Sequence, residues 1–170
     1  NNGSSISYST SKVIDVHTPL TLDLLSPGGL LSELSSSYTH STVPLFSWYS
    51  DFCPQCEFAI RVCNYNQAHH ESLEEALSNW SLVPLDQSNK YLTIGWNTHT
   101  YQYPSVGYVD LEVGKYYIWQ IRRTYETTLG KQHDYSPINV FEVRPSDKTQ
   151  LDYSDPYLSV IEAIMGKEKF

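Results

Sequence analysis

Charge is scarce in this sequence. Only 18% of residues are Asp, Glu, Lys or Arg, and 19 acidic side chains outnumber 11 basic ones, for a net −8. Binding to nucleic acid or to an anionic membrane surface requires a basic patch. The one adjacent basic pair, Arg122-Arg123, would point to opposite faces of a strand. Nucleic acid is therefore not an expected partner. Long apolar runs are missing too, with nothing near the roughly 20 residues that span a bilayer, so membrane insertion is not expected either. The chain opens on Asn1 rather than Met and stops at Phe170 within a helix-like run. It reads as a piece of a longer protein, or as a mature subunit trimmed at its N-terminus.

Catalytic signatures are also missing. There is no GxSxG elbow and no HExxH, and Pro27-Gly28-Gly29 lacks the lysine of a phosphate-cradling loop. The carboxylate pairs Glu74/Glu75 and Asp152/Asp155 fall on helix caps, where they are solvated. His69 and His70 precede a helix instead of sitting one turn apart on it, so they do not converge on a metal. No catalytic, cofactor or metal residues are expected.

Cysteine is sparse but patterned: Cys53, Cys56 and Cys63. Cys53-Pro54-Gln55-Cys56 has CxxC spacing. A zinc site would need a second ligand pair, which the sequence does not supply. A redox couple would sit at a helix N-terminus, whereas a strand-like run follows here. The favoured reading is a small loop disulfide, Cys53–Cys56, in an oxidising compartment, with Cys63 a buried thiol. Pairing of either with Cys63 stays open.

Aromatics are plentiful, at 14% with 14 Tyr. With abundant Ser and Thr they favour β-strands. Leu111 to Val143 reads as two long antiparallel strands joined by a polar hairpin. Val113, Tyr117, Trp119 and Ile121 share one face, with Gln120 and Arg122 opposite. Upstream, Pro19 to Leu25 is a half-buried first strand closed by Ser26 to Gly29. The connection after it is pinned by Leu30, Leu31 and Leu34 as a short helical turn. Val43 to Ser50 is a second strand with Phe46 and Trp48 inward. Glu57 to Tyr65 is a third, with Phe58, Ile60 and Val62 on the core face and Ala59, Arg61 and Cys63 on the other. Ser72 caps a short helix, with Glu75 completing a capping box and Leu73, Ala76, Leu77 and Trp80 as its buried stripe. Shorter strands follow at Leu82 to Leu85, Tyr91 to Ile94 and Thr98 to Tyr103.

Both ends read differently. Residues 1–18 form a Ser-rich arm or linker in which Ile6, Tyr8, Val13 and Ile14 carry strand character. Such an arm can add to a neighbour's sheet edge, which makes these four a candidate assembly arm. Residues 146–170 form a linker and an amphipathic helix capped by Asp155-Pro156, with Leu158, Ile161, Ile164 and Met165 on its apolar face.

The body, residues 19–145, resembles a fibronectin type III domain. Trp48 fits the family's second-strand tryptophan, and Phe58-Ile60-Val62 fits its third strand. Leu111 and Tyr117 hold the spacing of its tyrosine corner, with Gly130 and Ser136 before the last strand. The run LSPGG (residues 25–29), then a strand with Trp48, then CPxC resembles such modules in large bacterial surface proteins. The resemblance implies an antiparallel β-sandwich that is secreted or on the bacterial cell surface and does no catalysis. Its expected partners are other protein domains or copies of itself, including assembly into a surface filament. Exposed aromatics keep a carbohydrate-binding module open as the alternative. Trp96, Tyr101, Tyr103 and Tyr108 are its candidate glycan or partner contacts.

Overall fold

Residues 21–146 are described by the computed structural model. The candidate arm Ile6, Tyr8, Val13 and Ile14, like the C-terminal helix, lies outside the described residues. The elements run β1 (Leu22–Ser26), β2 (Tyr38–Thr39), β3 (Leu45–Ser50), β4 (Glu57–Tyr65), α1 (Leu73–Ser78), β5 (Ser81–Val83), β6 (Leu92–Trp96), β7 (Thr100–Gln102), β8 (Tyr116–Thr127), β9 (Gly130–Tyr135) and β10 (Asn139–Val143). The smaller sheet has the order β1-β3-β7. The larger runs β2-β10-β8-β4-β5, with β6 also paired to β4 and β9 to β8.

The two sheets share one interior. Trp48, Ile60, Tyr117 and Trp119 meet there, together with Phe46, Phe58, Val62 and Phe141. Strand alternation sends every second side chain inward, and each large apolar side chain so buried stabilises the fold by about 1.5–3 kcal/mol. Phe46 and Trp119 stack edge-on at 4.9 Å, and the Trp119 indole N–H donates to the Pro27 carbonyl at 2.9 Å. Just before β8, the Tyr117 hydroxyl accepts from the Glu112 N–H at 2.7 Å, folding the preceding loop back onto the strand. Arg123, also buried, struts the two sheets. Its Nη1 donates to Thr21 O and to Ser50 Oγ, and its Nη2 pairs with Asp134 at 2.8 Å.

The hairpin at Leu111 to Val143 forms with one break. β9 pairs the far half of β8, and β10 pairs the near half. Between them the Ser136 hydroxyl takes the place of a backbone acceptor for Ile121 N–H. Val113 is not on the inward face as expected. It stands exposed in the turn closed by Lys115 N to Glu112 O, where Gly114 takes a positive φ, and the strand starts only at Tyr116.

Three further expectations are corrected. Both faces of β4 are buried, not one, because α1 lies over the outer face and forms a second core of Cys63, Tyr65, Ala76, Ile118 and Val140. Ser72 does cap α1, accepting from Glu75 N. However, the helix stops at Ser78, and extended Asn79 turns Trp80 out to 68% exposure, so Trp80 leaves the stripe. In the first connection Leu30 and Leu31 are exposed, and the 3-10 turn over Leu31–Glu33 packs through Leu34. The connection is pinned by its backbone instead. Gly29 exchanges both hydrogen bonds with Val140, and β2 pairs β10 in parallel. Gly28 makes that approach feasible: a Cβ there would stand 2.1 Å from the Val140 oxygen.

Candidate functional site

The outer face of the larger sheet carries a cleft of about 670 Å³ between α1, the loop before β6 and the start of the β9–β10 segment. Its floor comes from alternate outward positions of β4 and β8, Arg61 and Gln120, which are register partners across the two strands. Arg61 is only 8% exposed. Its Nε donates to Leu77 O at 2.6 Å, Nη1 to Lys90 O and Nη2 to Asn79 O at 2.8 Å. These carbonyls belong to the end of α1 and to the loop before β6, so Arg61 fixes both walls to the sheet. Backbone carbonyls take three of its five N–H bonds, and no carboxylate pairs with it among the described residues. Beside it the Cys63 thiol is pushed up by burial, and the Arg61 charge opposes part of that shift.

The other wall is aromatic. Tyr91 and Tyr135 meet at 5.7 Å with planes 52° apart. The Tyr91 hydroxyl donates to Gln120 Oε1 at 2.5 Å, and Gln120 Nε2 donates to Ser136 O, so the floor and this wall are one hydrogen-bonded unit. Arg122 lies over the Tyr91 ring at 5.1 Å. Burial raises the Tyr91 phenol to about 12, with Tyr135 adding to the shift and Arg61 and Arg122 opposing it. Arg122 and Arg123 do point to opposite faces of β8, one to this wall and one to the interior.

The aromatic residues singled out from the sequence do not form a platform. Tyr103 is 1% exposed and belongs to the core, its hydroxyl donating to Val109 O at 2.6 Å, so it is not a surface contact. Tyr108 stands edge-on to it at 6.4 Å, and Tyr101 packs half-buried against Phe46. Burial raises the phenols of Tyr101 and Tyr103. Trp96 is 62% exposed on β6, paired to the edge of Glu57. The loop disulfide Cys53–Cys56 is present, with both cysteines buried, and Cys63 is a buried free thiol.

No family model, curated protein or solved structure matches this chain.

Among the described residues no group of three His, Cys, Asp or Glu could hold a metal ion. Glu75 is engaged at the start of α1, accepting from Glu71 N, and His70 Nδ1 accepts from Asn66 N. No described helix is long and apolar enough to cross a membrane, and the disulfide is compatible with an extracellular location.

A second surface is set by the smaller sheet. On β3, Phe46, Trp48 and Ser50 are buried, while Leu45 and Tyr49 stand exposed. Asp23 pairs across from Tyr49, Thr100 from Ser47 and Gln102 from Leu45. Leu25, at the β1 bulge, is exposed as well. Asp23 is the lone charge among these strand residues.

Proposed function

We propose that this chain is a non-catalytic extracellular interaction module of the fibronectin type III kind, meeting other protein domains or further copies of itself, as a subunit of a surface filament would. The strand order β1-β3-β7 against β10-β8-β4 and the Tyr117 hydroxyl bound back to Glu112 support the family reading. The weakly charged outer face of the smaller sheet carries the interaction reading, because exposed Leu45 and Tyr49 flanked by hydroxyl and amide groups suit an adhesive contact. The test is solution mass against concentration for the full chain and for a Leu45→Lys/Tyr49→Lys variant. Wild-type mass should rise with concentration and the variant should stay monomeric. Wild type that stays monomeric at high concentration rules out self-assembly. Turnover by the purified chain on a hydrolase substrate panel would overturn the non-catalytic reading.

One observation favours carbohydrate binding as a second reading. The Tyr91–Tyr135 wall, set beside Gln120 and Arg61, joins flat aromatic surface to polar groups in one concave place. Trp96, Tyr101, Tyr103 and Tyr108 do not provide that combination. The test is whether any glycan bound by the chain is lost on Tyr135→Ala while Trp96→Ala leaves it unchanged.

A further inference from the structure

We propose that the cleft over Arg61 binds an acidic sugar, its carboxylate held by Arg61 and Lys90 and its ring laid on Tyr135. This assignment rests on the carbohydrate reading above and names the class of sugar.

Four observations carry it. First, Arg61 brings a full positive charge to the floor. Its carbonyl partners take three of its five N–H bonds and bring partial charges only, and a buried charge is stabilised far better by an opposite whole charge. In a chain of net −8 that charge has no carboxylate partner among the described residues. Second, Lys90 lines the same cleft and adds a second cation. Its backbone carbonyl anchors Arg61 while its side chain stays exposed. Third, Tyr135 is 52% exposed and canted against Tyr91, so a flat ring surface faces solvent at the mouth. The negative face of such a ring attracts the polarised C–H groups on one side of a pyranose. Fourth, the floor is already hydrogen-bonded through Tyr91, Gln120 and Ser136, so the wall is held in place before any ligand arrives.

Glu74 is the carboxylate that lines the cleft, on the α1 side. It opposes an anion at that rim, so the ligand carboxylate belongs at the Lys90 side and sugar hydroxyls face Glu74. A neutral sugar would leave the floor charge unmatched. A strand-donating peptide has no purchase, since the floor is a sheet face and not an edge.

The experiment titrates the full chain with methyl β-D-glucuronide, methyl β-D-glucoside and N-acetyl-leucine, followed by backbone amide shifts and tyrosine fluorescence. The first two differ only in the carboxylate, and the third carries a carboxylate without a sugar ring. The glucuronide should shift amides around Arg61, Lys90, Gln120 and Tyr135. The glucoside should bind at least about tenfold more weakly, because it loses the charge-assisted contacts to both Arg61 and Lys90. Lys90→Ala and Tyr135→Ala alter exposed side chains, keep the fold, and should each weaken the glucuronide by a similar factor. Glu74→Gln should tighten it. Arg61→Lys is informative only if its melting curve stays cooperative, so the exposed variants decide. Equal binding of glucuronide and glucoside overturns the acidic assignment while leaving the carbohydrate reading intact. Tighter binding of N-acetyl-leucine overturns the sugar in favour of a peptide carboxylate. No shift in the cleft with any probe removes both.

Discussion

Replacing Tyr117 by Phe removes one oxygen atom and leaves the ring. The ring lies in the core at 5.7 Å from Phe141, and Phe fills the same space. The lost atom is the acceptor for the Glu112 N–H at 2.7 Å. A neutral hydrogen bond contributes about 0.5–1.5 kcal/mol net, and an orphaned buried donor costs about 1–3 kcal/mol. Glu112 is itself exposed, so water can reach part of the freed N–H, and the low end applies. The expected loss is about 1 kcal/mol, which lowers the melting temperature by roughly 4 °C for a domain of this size. Tyr116→Phe is the internal control, because Tyr116 is adjacent in sequence, points to the opposite face and packs on the second core. It should change stability by less than about 0.5 kcal/mol. Urea unfolding of wild type and both variants, with m held constant, reads the difference directly. If Tyr117→Phe unfolds with wild type, or no earlier than Tyr116→Phe, the hydroxyl does not hold the loop and the fibronectin reading loses its strongest local support.

Gly28→Ala places a Cβ against the Val140 oxygen and forces Ala to a φ of +84°, so about 3 kcal/mol or more of destabilisation is expected in the same urea assay. Trp48→Ala empties the centre of the shared interior and should cost roughly 3–5 kcal/mol; wild-type-like melting would refute its placement. Alkaline pH supplies a further check. Burial raises the phenols of Tyr91, Tyr101, Tyr103, Tyr117 and Tyr125 above their unfolded value, Tyr91 to about 12. Raised folded values contribute stability that is complete below about pH 10, the unfolded tyrosine range, and is lost as pH climbs through the folded values. Ultraviolet titration should therefore show a late group of tyrosines that ionises with unfolding. A single transition near pH 10 with the fold intact would contradict the burial.

Local patterns were readable from the chain and long-range pairings were not. The bounds of β4 follow from Phe58, Ile60 and Val62 alternating into a core, and the Ser72–Glu75 cap is written within four consecutive residues. The loop disulfide is equally local. By contrast, the burial of Arg61 depends on where α1 comes to rest, and no period along β4 encodes that. β2 is two residues long, too short for any alternation, and Gly29 meets Val140 through backbone atoms alone. Tyr103 went astray because tyrosine is ambivalent: with Val109 O to satisfy its hydroxyl it is as much at home inside as on a surface. The cleft gathers Arg61, Lys90, Tyr91, Gln120 and Tyr135 from four separate elements and loops, so no sequence motif could announce it.

The same backbone pairing limits how copies of this chain can join. A donated strand needs a row of unpaired N–H and C=O groups. Along β10 that row is taken: Val140 is bonded to Gly29, Glu142 N to Ser37 O, and Arg144 N to Thr39 O. Arg144 then lies over Tyr38 at 4.2 Å and reaches Ser35 O, clamping the cover in place. The larger sheet is thus closed on the side where its last strand would otherwise invite a neighbour. Of its other outer strands, β2 and β5 are only two and three residues long, β6 is broken by a bulge at Ile94, and β9 carries Lys131, His133 and Asp134, the kind of polar sequence that resists edge-to-edge pairing. The smaller sheet is guarded more lightly, by the bulge at Leu25 and the single charge of Asp23 on β1 and by the three-residue length of β7. β1 is bonded through β3 alone and reads Leu-Asp-Leu-Leu-Ser, and β7 carries no charge. Under the interaction reading, a strand supplied by a partner beside β1 or β7 would lie next to the exposed Leu45 and Tyr49. Edge pairing and face contact would then reinforce one another on the same sheet, while the Arg61 cleft on the opposite sheet stays free for its own ligand.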